Sequence, residues 1–433
     1  MLDPKFIAAN PDEVRAAAKK KHIKFDVDAF IALDEKRRAL QGEVDSIRAE
    51  KNAVNEKMKT IKGEEREQII TEMRKKGEEE KAAGEKLQRI ELEWKHLLLT
   101  APGLISPESP EGKDDKENVE MYKVGEIPEF KFALKDHMAL GKDLDIVDME
   151  RGVKVAGSRN YFLKGDGALL ELAIMQFTIH KLVAKGFTPF LPPLLVNIEA
   201  MIGTSYFPGG EEQAYAVGVK RPSEEHIESD EKYLIGTSEV SVASYHGGEI
   251  LQESELPKLY AGYSNCFRRE AGTYGKDTHG LYRIHQFQKV EQVAICKNDM
   301  EESGRIHKLL LQNAEEVLQD LKLPYRVVAV CSGDMGQGQY YKNDIETWMP
   351  SRNSYGETHS CSTFLDFQSR RLNIRYKDKD GKIQFAHTLN NTCIASPRIL
   401  IPILEIYQNE DGSVTVPEVL RPWMGGKTKI EKC

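Results

Sequence analysis

The sequence predicts an α+β protein, in which an N-terminal antiparallel two-helix coiled-coil arm precedes a domain built on an antiparallel β-sheet flanked by helices. Three observations carry this. From Asp28 to about Leu98, apolar residues recur at heptad spacing in a tract dense in Glu, Lys, Arg and Ala. From about Lys232 onward, strand-like and helix-like segments alternate irregularly, with antiparallel hairpin signals. Between them, APGLISPESPEGKDDKENVEMYKVGEIPEF is rich in proline and charge and lacks periodicity, the mark of a linker. The expected boundaries are 1–105 for the arm-bearing domain, 106–130 for the linker and 131–433 for the second domain.

Composition sets the outer limits. A chain of 433 residues is too long for one ordinary domain, and its 40% hydrophobic fraction can fill a sizeable core. No stretch is read as a membrane span. The opening MLDPKFIAANPDEV has no apolar signal region and carries acids early, so the expected compartment is the cytoplasm. Cys266, Cys296, Cys331, Cys361, Cys393 and Cys433 stand thirty or more residues apart without a CxxC pair, so neither zinc nor a disulfide framework is expected. A net charge of −8 gives no general attraction to nucleic acid; RNA contact would have to come from local patches.

The arm has two seams. Leu33, Arg37, Leu40, Val44, Ile47, Lys51, Val54, Met58 and Ile61 form the first. After a break at Ile61-Lys62-Gly63 the second runs Ile69, Met73, Lys76, Glu80, Ala83, Leu87, Ile90, Trp94 and Leu97. Each helix would be roughly 50 Å long at the α-helical rise. Lys51, Lys76 and Glu80 at seam positions predict a loosely zipped distal part. A coiled coil that only dimerises is the plain alternative.

Beyond the linker, Gly165 to Lys185 reads as a helix stopped by Gly186. GFTPFLPPLLVN follows, an extended apolar run whose Pro189, Pro192 and Pro193 confine it to an edge or an interface. The next signal is a hairpin from Tyr260 to Ile295, with limbs YAGYSNCFRRE and LYRIHQFQKVEQVAI and a connection punctuated by Gly272, Gly275 and Gly280. Alternation puts Arg268 and Glu270 on one face of the first limb. It puts Arg283, His285, Phe287, Lys289 and Glu291 on one face of the second. Such a face is either solvated or a binding floor. Arginine forks suit phosphate and carboxylate, a phenyl ring suits a base, and a carboxylate suits an ammonium or amino group, which favours the floor.

Four further pieces join the hairpin. In LIGTSEV an extended backbone would point Thr237 and Glu239 the same way. In NSYGETHSCS, Glu357 and Ser360 could offer oxygens to Mg²⁺, which takes few protein ligands. In HTLNNTCIASPRILIPILEIYQ a polar loop enters an apolar helix with Arg398 at the junction, an anion site in outline. The proline-broken run ending at Pro193 is the fourth.

The order GFTPFLPP, TSE, CFRREAGTYGKDTHGLYRIHQFQKVE, ETHSCS and a loop ending in Arg398 resembles the class II aminoacyl-tRNA synthetases, and within them the seryl-tRNA synthetase family. The resemblance covers nearly the whole chain, from the coiled arm to VPEVLRPWMGG. It implies a serine--tRNA ligase that activates L-serine with ATP and transfers it to tRNA(Ser), with tRNA(Sec) a second candidate acceptor. It implies Arg268 and Arg398 as catalytic residues, Arg268 aligning the α-phosphate and the serine carboxylate. Glu270 would take the adenine amino group, Phe287 and Arg398 its two faces, and Arg283 a pendant phosphate. Thr237, Glu239 and Glu291 would surround the serine ammonium, Glu291 and Thr392 the hydroxyl, and Glu357 and Ser360 the Mg²⁺. A homodimer through Gly186 to Pro193 and an arm that reads tRNA by shape complete the expectation. The third motif departs from the family at Asn391 and Pro397, where glycines are usual. A relative activating another small amino acid or charging a carrier protein, and a non-catalytic RNA-binding or scaffold protein, are the alternatives. The intact Arg268, Glu270, Glu357 and Arg398 set speaks against the non-catalytic protein, and the arm speaks against a carrier-protein ligase.

Overall fold

A computed structural model describes residues 1–58, 63–218, 232–272 and 280–432. Ile61 and Lys62 of the arm's turn, Gly275 of the hairpin connection and Cys433 lie outside the described residues. The chain forms two compact units, Met1–Leu104 and Ile105–Cys433.

In the first unit, helices Pro4–Ala9 and Pro11–Lys20 pack at the base of two long helices, Val27–Met58 and Glu64–Thr100. The base has its own small core of Ile7, Val14, Val27, Phe30 and Leu98, with Trp94 stacked on Phe30 at 6.2 Å. Farther out the seam closes on Val44, Ala83 and Leu87. The polar seam positions are not vacant. Glu80 takes Lys51 at 2.7 Å and Arg48 at 2.9 Å, and Lys76 pairs with Glu50. Apolar burial gives way to cross-helix ion pairs as the arm extends.

The second unit is organised on eight strands: β1 Val119–Val124, β2 Thr188–Phe190, β3 Lys258–Phe267, β4 Gln286–Cys296, β5 Tyr325–Ala329, β6 Tyr341–Met349, β7 Ser354–Leu365 and β8 His387–Ser396. Their spatial order is β1-β5-β6-β7-β8-β4-β3-β2. Every neighbour pair is antiparallel except β2 with β3. As its prolines require, the Thr188–Phe190 segment sits at an edge.

Two expectations need correction. The supposed linker carries β1, and Ser106 donates its amide to Tyr340 at 2.8 Å, so the stretch after Leu104 is part of the second unit. Its charge hid an edge strand whose side chains stay mostly in solvent. The helix Asp166–Ala184 is also long and apolar enough to cross a membrane, contrary to the reading that no stretch is. In this fold Leu170, Ala173, Ile174, Met175 and Leu182 bury it against the sheet.

That helix and Met300–Asp320 cover one face of the sheet, where Leu310, Ala314 and Val317 meet Val290, Ala294 and Leu389. Along β4, Val290, Ala294 and Cys296 join this core, while Phe287, Lys289 and Glu291 line a cavity on the opposite face. The period-2 alternation of one strand thus separates core from site.

Candidate active site

The polar face of β4, β7 and β8 forms the floor of a cleft of about 340 Å³. Thr237, Glu239, Arg268, Glu270, Arg283, Phe287, Glu291, Glu357, Ser360, Thr392 and Arg398 all line it. Residues spread over 162 positions of sequence, Thr237 to Arg398 counted inclusively, meet there.

The local conformations differ from the strand-based expectation in three places. Arg268 and Glu270 lie beyond the end of β3, and Glu270 adopts a left-handed backbone (φ 51°). Turned this way, Glu270 meets Arg283 at 2.5 Å rather than following strand alternation. Thr237 and Glu239 are not on an extended segment: Glu239 opens the helix Glu239–Ala243, and its amide donates to Thr237 Oγ1 at 3.3 Å. His285 does not join the cavity face. Its ring nitrogen Nδ1 lies 2.9 Å from the Arg268 carbonyl, and the Arg268 amide donates to the His285 carbonyl, so it ties the two limbs together.

Two bulges set which side chains face the cleft. Between β6 and β7 the register passes from Ile345↔His359 to Glu346↔Glu357, leaving Thr358 unmatched. Glu357 and Ser360 are three residues apart and would face opposite sides of a regular strand; the extra residue returns both to the cavity. Between β4 and β8 the register passes from Val290↔Ile394 to Glu291↔Thr392, leaving Cys393 unmatched and Thr392 opposite Glu291.

At one end of the cleft three cationic side chains gather. Arg268 donates to the Gly236 carbonyl at 3.2 Å, with its guanidinium 5.1 Å from the centre of the Phe287 ring. Arg398 donates to the carbonyls of Glu357 at 2.9 Å and Tyr282 at 3.2 Å, and stacks on Tyr282. Arg283 is the third. Desolvation would raise Glu357, but Arg398, Lys342, Arg268 and Arg283 outweigh it and hold the carboxyl below its usual range.

The other end is acidic and enclosed. Glu239 takes a hydrogen bond from Gln368 Nε2 at 2.8 Å and one from the Tyr206 hydroxyl at 3.4 Å. Burial, and after it the Glu291 carboxylate, push Glu239 up to about 7. Glu291 meets Lys289 at 2.5 Å and accepts from Thr392 at 3.2 Å. Tyr206, Gln368 and Lys289 in this role escaped the sequence analysis. Lys289 had at least been placed on the correct face, whereas nothing around Tyr206 or Gln368 marks them.

The departures in the third motif have a local account. Asn391 is fully buried on the helix side and donates to the Leu310 carbonyl at 2.7 Å, so its side chain points away from the cleft. Pro397 lines the cavity beside Arg398.

Residues 1–105 match the family described as "Seryl-tRNA synthetase N-terminal domain", and residues 222–407 match "tRNA synthetase class II core domain (G, H, P, S and T)". The serine--tRNA ligase of Deinococcus radiodurans is 44% identical, the alignment covering 99% of this chain and 98% of that protein. That of Trichlorobacter lovleyi is 43% identical, with complete coverage of both. Among solved structures, seryl-tRNA synthetase from Pyrococcus horikoshii complexed with ATP superposes with a TM-score of 0.88 at 35% identity, covering 100% of both chains. The cytoplasmic enzyme of Naegleria fowleri in complex with AMP gives 0.85 at 32% identity, covering 100% of this chain and 99% of that one.

Proposed function

The chain belongs to the seryl-tRNA synthetase family, and on that premise we propose that it activates L-serine with ATP to seryl-adenylate and transfers serine to the 3′ end of tRNA(Ser). One observation supports this reading above the rest: a single cleft holds an arginine cluster at one end and a buried, partly compensated carboxylate pair at the other. The first suits a triphosphate and the second an amino acid's ammonium group.

In this assignment Arg268, a member of the cationic cluster, binds both the α-phosphate and the serine carboxylate. As the carboxylate oxygen attacks, negative charge grows on the α-phosphoryl oxygens, and fixed guanidinium donors meet it without reorganising. No protein nucleophile or base is needed; orientation and charge neutralisation supply the rate. Phe287 offers a face for adenine, Arg398 closes from the other side, Glu270 takes the exocyclic amine and Arg283 a pendant phosphate. Thr237 and Glu239 hold the ammonium, and Glu291 with Thr392 the hydroxyl. The oxygen pair Glu357 and Ser360, brought to one face by the bulge, fits a Mg²⁺ ion that otherwise binds phosphate oxygens. Bound there, Mg²⁺ would neutralise phosphate charge.

The arm, Val27–Thr100, is assigned to tRNA. A homodimer through Gly186 to Pro193 is supported by exposed apolar side chains nearby, Leu191 at 82% and Leu172 at 49%. The cytoplasm is the proposed compartment. ATP–pyrophosphate exchange that depends on serine, followed by charging of tRNA(Ser), tests the reading. Exchange supported equally by alanine, or by no amino acid, overturns it. Parallel charging of tRNA(Sec) defines the acceptor range.

A further inference from the structure

We propose that Lys289 is a specificity-determining residue of the amino-acid subsite, reading the substrate hydroxyl directly as a hydrogen-bond donor. This rests on the serine-activating reading given above.

Lys289 stands on β4 between Phe287 and Glu291, 5% exposed and within the cavity lining. Its ammonium closes a triangle with two groups already assigned to the hydroxyl. Nζ lies 2.5 Å from Glu291 Oε2 and 3.4 Å from Thr392 Oγ1, and Thr392 Oγ1 is 3.2 Å from the same Glu291 oxygen. Thr392 gives its only proton to Glu291 and accepts from Lys289. An ammonium has three N–H donors, so one remains, and no described residue accepts it. Glu291 likewise keeps its second oxygen without a partner among the described residues. A free donor and a free acceptor thus stand side by side on the cavity face, the complement of one alcohol.

Charge counting points the same way. The enclosed end holds two carboxylates, Glu239 and Glu291, and one lysine. The lysine compensates Glu291, leaving a single carboxylate, Glu239, for the single ammonium an amino acid brings. Without Lys289 two carboxylates would compete for that ammonium, and Glu291 could draw it away from the orientation that presents the hydroxyl. With Lys289, the substrate O–H donates to Glu291 and its oxygen accepts from Lys289. Alanine leaves both groups unpaired in a closed site, the situation that rejects an analogue strongly. A thiol, a weak donor and acceptor, satisfies them poorly.

The test is Lys289→Met, which keeps the aliphatic stem and removes the donors. Serine- and alanine-dependent pyrophosphate exchange are measured side by side, with KM for ATP as the control on folding. The expected result is a serine-to-alanine preference lowered about tenfold or more, carried by KM for serine, with KM for ATP within about twofold and partial recovery in Lys289→Arg. If serine and alanine weaken equally, Lys289 only scaffolds Glu291 and the proposal is overturned. Should Lys289→Met not fold, a crystal structure of the wild type with a non-hydrolysable seryl-adenylate analogue decides. Lys289 Nζ within hydrogen-bond distance of the serine hydroxyl supports the assignment; the hydroxyl lying beyond about 4.5 Å overturns it. Absence of serine-dependent exchange in the wild type defeats the parent reading and this inference together, whereas a serine-specific wild type with an equally specific variant defeats this inference alone.

Discussion

Replacing Glu239 by Gln should make the ligand-free protein more stable at pH 8 while depriving it of serine. Glu239 is 7% exposed and lies near Glu291, and its carboxyl holds its proton up to about 7 instead of the ordinary 4.5. The direction of the effect follows from proton binding. Between those two values the native state keeps a proton that the unfolded chain has released, so stability falls as pH rises through that window. At about 1.4 kcal/mol per pH unit, the full cost above pH 7 is roughly 3 kcal/mol. Below pH 4.5 both states are protonated and the cost vanishes. Glutamine keeps the shape and can still accept from Gln368, so the variant avoids the charge penalty. Its advantage should therefore be large at pH 8 and small at pH 5.

The assay is thermal unfolding of the ligand-free wild type and Glu239→Gln at the two pH values. For a unit of this size, each kcal/mol moves the midpoint by about 1–2 °C. The variant should melt about 3–6 °C higher at pH 8 and nearly level with the wild type at pH 5. Adding serine should raise the wild-type midpoint and leave the variant's unchanged, because in the proposed assignment the destabilised carboxylate is what the ammonium binds. A variant that melts lower than the wild type at pH 8, or shows the same difference at both pH values, refutes the reasoning. In the wild type, kcat/KM for serine should fall about tenfold per unit below pH 7, with KM for ATP flat.

Three further outcomes are expected. Arg268→Ala removes a preorganised donor pair and should slow adenylate formation by about a hundred- to a thousandfold, read by stopped-flow or exchange; a loss below tenfold would place the α-phosphate elsewhere. Glu405 is fully buried and accepts from the His137 amide at 3.0 Å, the Ser351 amide at 2.9 Å and the Ser351 hydroxyl at 2.7 Å, with His137 Nδ1 2.7 Å away. Glu405→Ala strands those groups and should cost about 3–5 kcal/mol, seen in urea denaturation. Excising Leu40 to Leu87 with a Gly/Ser closure keeps the base core of Phe30, Trp94 and Leu98; serine-dependent exchange should survive within a few-fold while tRNA charging collapses and the salt dependence of tRNA binding flattens.

The helical arm and the central hairpin were legible because each has a strong period, and in the hairpin the residues facing the cleft differ in kind from those facing the core. In the arm, Val44, Ala83 and Leu87 stand at heptad positions and close on one another. In β4, alternate residues go to the core and to the cleft, so the sequence alone puts Phe287, Lys289 and Glu291 on one face. Signals of this kind are local, since each residue's direction follows from its neighbours. The strand hidden in the linker failed that test, because β1 has no buried side and so no alternation to read.

The site was legible as a set but not as a geometry, and the bulges explain why. Counting by twos from Glu357 reaches His359 and misses Ser360, yet both Glu357 and Ser360 face the cleft because Thr358 is unmatched. The unmatched Cys393 does the same for Thr392 and Glu291. An extra residue in a strand costs ladder bonds and has no composition of its own, so it leaves no mark in one sequence. It nevertheless decides which oxygens converge. Tyr206 and Gln368 show the second reason: they reach Glu239 across 33 and 129 positions, and only tertiary packing brings them there. The acid that most needs explaining, Glu239, is therefore tuned by partners that the sequence keeps far away. Residue types announce the ligand's chemistry, while irregular backbone and remote neighbours set the distances at which that chemistry operates.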